Sequence, residues 1–283
     1  MPSQSPNEFV ITSSVRTEIV LRAAERPAPT DTLLSEIEAS DSAVYDALST
    51  LRNRGLLTEA ADGWELTAHG AIVADSVSAW QSAEAFLATD PEFWKTHQLD
   101  VIPPDFRRRL PEIGAYEIIR DTPQDPNKSE DAAISMLEGA DSCELTTPYY
   151  SRRHQEAIPT HPETRLLVTR EAIDVSLQRY AAGHREELTA LDPENIRLTD
   201  CAFASVVTDE QLKFELPKLR EASMTNHPTA PSTGESVTDT SAIFVSETDA
   251  AVEFGRDLFE TLWAESEPMG PYIDREFPEL SEQ

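Results

Sequence analysis

Residues 40 to 66 constrain the fold more than any other stretch of the chain. Ser40 stands where a helix N-cap belongs. Val44, Leu48 and Leu51 then recur at helical spacing until Gly55, the residue type that closes helices in the left-handed conformation. A short strand comes next, followed by the turn pair Asp62-Gly63 and by Trp64-Glu65-Leu66, so the spacing predicts a β-hairpin directly after the helix. Two further helices are expected upstream. The first runs from about Ser13 to Glu25, with Val15, Ile19, Val20 and Ala23 inward, and is ended by Pro27 and Pro29. The second is short, capped by Thr30 or Asp31, and carries Leu33, Leu34 and Ile37.

Three helices followed by a hairpin is the order of a winged helix-turn-helix, mostly α with a β-wing, expected over residues 9–67. Such a unit docks one helix in a major groove and lays its wing on the flanking backbone. On that reading Ser42, Ala43, Tyr45, Asp46 and Ser49 face the groove, and Arg52 and Arg54 lie near phosphates. Ser and Tyr hydroxyls bond phosphates or base edges, and Asp46 can accept from a cytosine amino group. Trp64 has two readings, packing beneath the hairpin or touching sugar. Asp41 and Asp46 oppose phosphate, and their competing reading is an acidic surface that touches nothing.

The charge balance bears on that point. With 52 Asp plus Glu against 23 Lys plus Arg, the formal charge is −29. Phosphate neutralisation normally dominates nucleic-acid affinity, which argues against an ordinary DNA-binding protein. The cations are mostly arginine, the lysines being Lys95, Lys128, Lys213 and Lys218. An acid-rich, lysine-poor surface fits a cytoplasm of very high salt, where the Debye length is about 3 Å or less and net charge hardly repels DNA beyond contact range. The expectation is a halophilic archaeal protein, cytoplasmic and without membrane contact. No apolar run approaches the roughly 20 residues of a membrane span, and residues 1–8 lack the basic and apolar regions of a signal peptide. Cys143 and Cys201 are too few for a disulfide framework or a zinc site; they read as buried thiols or, alternatively, as a redox pair.

Residues 67 to 88 read as a longer amphipathic helix with Ile72, Val73, Val77, Trp80, Phe86 and Leu87. Its apolar residues have two candidate roles: packing on their own winged domain, or pairing with the same helix of a second subunit in a homodimer. Prolines at 91, 103, 104, 111, 123 and 126 then break the chain into short pieces, so residues 68–128 are expected to be that helix plus a helical connector. The connector holds Arg107-Arg108-Arg109, readable as phosphate contacts or as a salt-bridged face.

From 129 to 265 strand and helix patterns alternate, which predicts an α/β domain with a mixed sheet covered by helices. Strands are expected at 142–147, 164–169, 196–199, 202–208, 211–216 and 242–245. Helices are expected at 130–140, 152–158, 171–180, near 183–190 and at 249–264. A flexible loop is expected at 225–240 and a loose acidic tail at 266–283.

Two stretches resemble a family. Phe93-Trp94-Lys95-Thr96-His97 with Ile102-Pro103, Leu110 and Ile113-Gly114, and Ala250 to Met269 with Phe259, Trp263 and Ser266-Glu267-Pro268, are similar to archaeal regulators of the methanogenesis-regulator (FilR-type) family. The resemblance extends over about residues 10 to 269. It implies a TrmB-like architecture, a winged helix followed by an α/β effector or dimerisation domain similar to half of a phospholipase D enzyme. It also implies a transcriptional regulator that reads double-stranded operator DNA and senses a small-molecule effector.

Catalysis is not expected. Phospholipase-type chemistry needs a nucleophilic His with a Lys two residues on, and none of the six histidines has one. Neither a glycine-rich phosphate loop nor a paired metal-ligand motif is present, so no cofactor or metal is expected. An effector site belongs at the carboxyl ends of the parallel strands, at Thr146, Thr147, Tyr149 and Tyr150 and at Thr169 and Arg170. Arg152, Arg153 and His154 beside them could hold an anion. The alternative for this cluster is a polar helix cap with two packing tyrosines. A second function reading, a protein-interaction adaptor whose winged helix no longer binds DNA, is sustained by the acidic third helix.

Overall fold

The computed structural model describes residues 4–180, 192–219 and 242–276. The chain divides into two compact units, Met1–Ala85 and Phe86–Gln283. Residues 86–128 of the connector fall within the second unit.

In the first unit, α1 (Pro6–Ile11) precedes α2 (Ser14–Glu25), α3 (Thr30–Glu36) and α4 (Asp41–Asn53). Side-chain hydroxyls cap three of them: Ser5 accepts from the Glu8 N–H, Ser13 from Arg16 and Ser40 from Ala43. Helix α1, unforeseen in the sequence, buries Phe9 and Val10 in a core with Ile19, Val20, Leu33, Val44, Leu48 and Leu51. Helix α4 closes as expected at Gly55, whose φ is +69°, with the Leu56 N–H returning to the Leu51 carbonyl at 3.0 Å.

Strands β1 (Leu57–Ala60) and β2 (Gly63–Leu66) form the hairpin, Leu57 opposite Leu66 and Ala60 opposite Gly63. Ala28, between α2 and α3, pairs with Trp64 by two backbone bonds of 3.0 and 2.9 Å, which ties the hairpin down. Gly63 is required at that seam. Its φ is +130°, and a Cβ there would lie 2.6 Å from the Ala28 carbonyl carbon. Helix α5 (Ala68–Thr89) follows and adds Val73, Ala74 and Val77 to this core.

The second unit begins with α6 (Pro91–Thr96), capped by Asp90, and α7 (Pro104–Arg109), which runs into a 3-10 turn at Leu110–Ile113. Arg120 holds the same Asp90 through two bonds of 2.6 and 2.7 Å. The remaining described elements are β3 (Glu117–Arg120), α8 (Lys128–Glu138), β4 (Glu144–Thr147), α9 (Arg152–Ala157), β5 (Arg165–Val168), α10 (Arg170–Tyr180), β6 (Ile196–Leu198), β7 (Ala204–Val207), β8 (Leu212–Glu215), β9 (Ala242–Ser246), α11 (Asp249–Glu265), β10 (Glu267–Pro268) and α12 (Met269–Glu276).

The fold is α/β with a mixed eight-stranded sheet in the order β10-β6-β5-β4-β7-β8-β9-β3. Strands β4, β5 and β6 are parallel neighbours, and the other pairings are antiparallel. Strand alternation sends Val207, Leu212, Phe214 and Phe244 into one core with Phe93, Phe254 and Leu258. The opposite face carries Leu145, Leu166, Val168, Ile196 and Val206, joined by Leu137, Ala157, Ile173 and Tyr272.

Strand β3 has no counterpart among the expected strands; it reaches out of the proline-rich connector to pair with β9. The expected tail is corrected over its described part: β10 adds to the sheet and α12 buries Met269 and Tyr272. The helix expected near 183–190, the loop at 225–240 and residues 277–283 lie outside the described residues. No described helix is long and apolar enough to cross a membrane.

Candidate nucleic-acid interface and ligand cavity

In the first unit the side chains expected to face DNA share one surface of α4. Val44, Leu48 and Leu51 turn inward, which leaves Ser42, Tyr45, Asp46, Ser49 and Arg52 exposed at helical spacing, with Ala43 half-buried beside them. Tyr45 is 53% exposed, a large aromatic ring without cover on the outer face of a well-packed helix. Ser42 Oγ shares a hydrogen bond with the capping Ser40 at 3.1 Å. Arg52 stands 3.8 Å from Glu59 across the start of the wing, an exposed pair of little energetic weight.

Two residues of the expected surface make contacts within their own unit. Trp64 is 9% exposed and its indole N–H donates to Thr30 Oγ1 at 3.1 Å, so it packs beneath the hairpin, the first of its two readings. Arg54 is exposed, but its guanidinium lies 3.8 Å from the centroid of the Phe9 ring and donates to the Gln4 carbonyl. Arg16, outside the expected site residues, lies 4.0 Å from the same centroid. Phe9 thus holds two guanidiniums, and neither makes a described ion pair. Burial, followed by the like charge of Arg54, lowers the Arg16 pKa from its usual value. The signal for this pair was the aromatic Phe9 in a short capped helix.

In the second unit a cavity of about 120 Å³ opens between the β4–β5–β6 face of the sheet and helices α8, α9 and α10. Leu137, Leu145, Ile158, Leu166, Ile173 and Val206 supply apolar wall. Thr147, Tyr149, Tyr150 and His154, all expected at an effector site, line it together. They meet because β4 ends at Thr147 and the chain turns at once into α9, whose N-cap is Ser151. Thr146 borders the cavity as well, although strand alternation turns its side chain to the other sheet face.

Arg152 and Arg170 do not line the cavity. Arg152 bonds Glu156 at 2.6 Å, while Arg170 reaches Asp200 at 3.2 Å and Glu267 at 2.7 Å. Arg153 pairs with Glu130 and Asp131 outside. The anion-holding cluster expected from three adjacent basic residues is thus dispersed by acidic neighbours.

The cavity's polar end comes from β8, a strand outside the expected site residues. On β8, Lys213 (2% exposed) and Glu215 (6% exposed) point to the cavity face two residues apart, Nζ to Oε2 3.0 Å. The Tyr149 hydroxyl donates to the same Oε2 at 2.6 Å. Lys213 lines the cavity. His154 Nε2 is buried with no hydrogen-bond partner. Burial, aided by the nearby Lys213 charge, pulls the His154 pKa down to about 4, so the imidazole is neutral at pH 7.

Elsewhere, Arg108 pairs with Asp105, and Arg109 with Glu112 and Asp257, the salt-bridged alternative for two of the three arginines. Cys143 and Cys201 belong to cores on opposite faces of the sheet, and burial raises both thiols to about 12.

Residues 5–85 match the family described as the HVO_A0261 N-terminal domain. No curated protein matches the chain. Solved structures similar to it include one described as "Structure of TrmBL2, an archaeal chromatin protein, shows a novel mode of DNA binding", at 14% identity and a TM-score of 0.35, covering 90% of this chain and 94% of that one.

Proposed function

We propose that the chain is a DNA-binding transcriptional regulator of archaeal, high-salt type that acts as a homodimer in the cytoplasm and senses a small effector through its α/β unit. The observation that carries this reading is the exposed stripe of Ser42, Tyr45, Asp46, Ser49 and Arg52 on α4, next to a hairpin pinned by Ala28. A helix of that kind beside a wing has the shape that enters a major groove. Membership of the methanogenesis-regulator family and likeness of the sheet to half of a phospholipase D enzyme belong to the same proposal, as does the lack of a catalytic role.

The homodimer is supported by α5. Val73 and Val77 bury against their own unit, whereas Ile72, Trp80 and Leu87 are 68%, 45% and 45% exposed. At about 100° per residue Ile72 and Trp80 lie about 80° apart, and Trp80 lies about 20° from Val73. The apolar arc of this part of α5 is therefore wider than its own unit buries, and the exposed part suits the same helix of another copy. An effector in the α/β unit would act by favouring one arrangement of the paired winged helices over another.

The test is selection of genomic DNA fragments by the purified protein in about 2 M KCl, where charges are strongly screened. Enrichment of a short two-fold-symmetric sequence is expected. Recovery of random fragments only would remove the regulator reading. Asp41 and Asp46, exposed on the same face, favour the second reading, an adaptor that docks on a protein. Capture of a protein partner without DNA enrichment would then be the outcome.

A further inference from the structure

We propose that the cavity between β4–β5–β6 and α8–α10 binds an uncharged, mostly apolar molecule of small aryl or short acyl size through a single oxygen acceptor, received by Lys213 Nζ and His154 Nε2. This deepens the effector reading given above. The binding step itself is read without DNA.

Size comes first. A cavity of about 120 Å³ is close to the roughly 150 Å³ of an engineered apolar cavity that takes up benzene. The surface the cavity presents is mostly apolar, from Leu137, Leu145, Ile158, Leu166, Ile173 and Val206, with its polar groups gathered at the Tyr149, His154 and Lys213 end, which suits a mostly apolar ligand better than a sugar or a nucleotide.

Polarity comes next. Lys213 has three N–H donors, and among the described residues only Glu215 accepts from it. His154 Nε2 is buried without a partner. A buried polar atom without a partner costs stability, and His154 Nε2, a donor in one neutral tautomer, borders the same cavity as the unspent N–H capacity of Lys213, which marks where a ligand oxygen belongs. The chain keeps very few lysines, yet one of them is buried here with 2% exposure.

Charge then decides the class. Glu215 already balances Lys213, and Tyr149 is held in its neutral form by burial and by Glu215. Beside this described pair, a carboxylate ligand would bring a second negative charge next to Glu215, and a cation would face Lys213. A carbonyl or hydroxyl oxygen satisfies the free donors and adds no charge.

The experiment is isothermal titration of the full-length protein, free of DNA, with acetophenone, ethylbenzene and benzoate. Acetophenone should bind saturably, about tenfold more tightly than ethylbenzene, with benzoate weaker than the ketone. In H154L, which deletes the Nε2 that has no hydrogen-bond partner, the preference for ketone over hydrocarbon should fall to about threefold or less. A133L, which fills the cavity from α8, should abolish uptake of both while the far-ultraviolet circular dichroism stays that of the wild type. Equal binding of ketone and hydrocarbon in the wild type would overturn the polar recognition. Tightest binding of benzoate would overturn the charge argument, and no saturable uptake would overturn the site. A bound ketone that leaves affinity for the selected DNA unchanged would instead remove the effector reading and spare the site.

Discussion

The Tyr149 hydroxyl donates to Glu215 Oε2 at 2.6 Å, bringing the loop after β4 onto the carboxylate that also receives Lys213. A buried carboxylate with two donors on one oxygen is stable only while both stay in place. Removing one donor while the other remains should cost about 1–3 kcal/mol. Y149F should therefore melt at lower denaturant concentration than wild type, and an unchanged midpoint would show that the bond carries no weight.

The His154 ring gives the second unit a pH dependence of known sign. Its folded pKa of about 4 lies below the usual 6.5, so on acidification the unfolded chain takes up the proton first. The stabilisation is complete above about pH 6.5 and is lost as pH falls toward about 4, by up to about 3 kcal/mol. Denaturant midpoints at pH 7 and pH 5 should differ more in wild type than in H154L. Identical differences would contradict the burial-driven shift.

Tyr45 and Trp64 should separate recognition from folding. Y45A removes an exposed ring and should weaken binding to the selected DNA by about tenfold or more with no change in melting. W64F removes the bond to Thr30 and should lower stability by about 1 kcal/mol while DNA affinity is kept. The reverse pattern would move the interface from α4 to the wing.

Phe9 is the shared platform of Arg16 and Arg54. F9L keeps an apolar plug but has no aromatic face, so it should cost about 1–2 kcal/mol, the sum of two cation–π contacts. Arg54 would then be released from its place at the end of α4, and DNA affinity at a given salt would shift with it. A variant as stable as wild type would show that the stacking is incidental.

On α5, W80E places a charge in the exposed stripe. Sedimentation should show half the wild-type mass, with unchanged helical content because Trp80 is not in the core. A dimer that persists would put the contact between copies elsewhere.

The legible parts of the fold were those whose own residues carry the pattern. Helix α4 had its cap, its apolar spacing and its closing glycine. Strands β5 and β9 had runs such as Leu166-Leu167-Val168 and Ile243-Phe244-Val245. Strand β3 offers only Ile118 and Ile119 between charged residues, and its pairing with β9 spans more than a hundred positions. Helix α1 carried a signal, Ser5 followed by Pro6, but in a polar segment that masks Phe9 and Val10. At the cavity, the residues following β4 were found because a strand end is a fixed place for ligands. Lys213 and Glu215 escaped because alternation with Leu212 and Phe214 reads as a strand with one solvated face. Helices contributed from other parts of the chain cover that face, and no local pattern announces them.

The two ends of the α/β unit finish opposite margins of its sheet. Strand β3 comes from before α8 and seals β9, while β10, the last strand described, seals β6 and carries Pro268. Both are short, and the proline has no N–H to offer a newcomer, which blunts the outer rims. A fragment trimmed to residues 129–265 would therefore lose both seals at once. Its bared backbone on β9 and β6 would recruit strands from neighbouring molecules, and the piece would come out of solution as aggregate although every residue around the cavity is present.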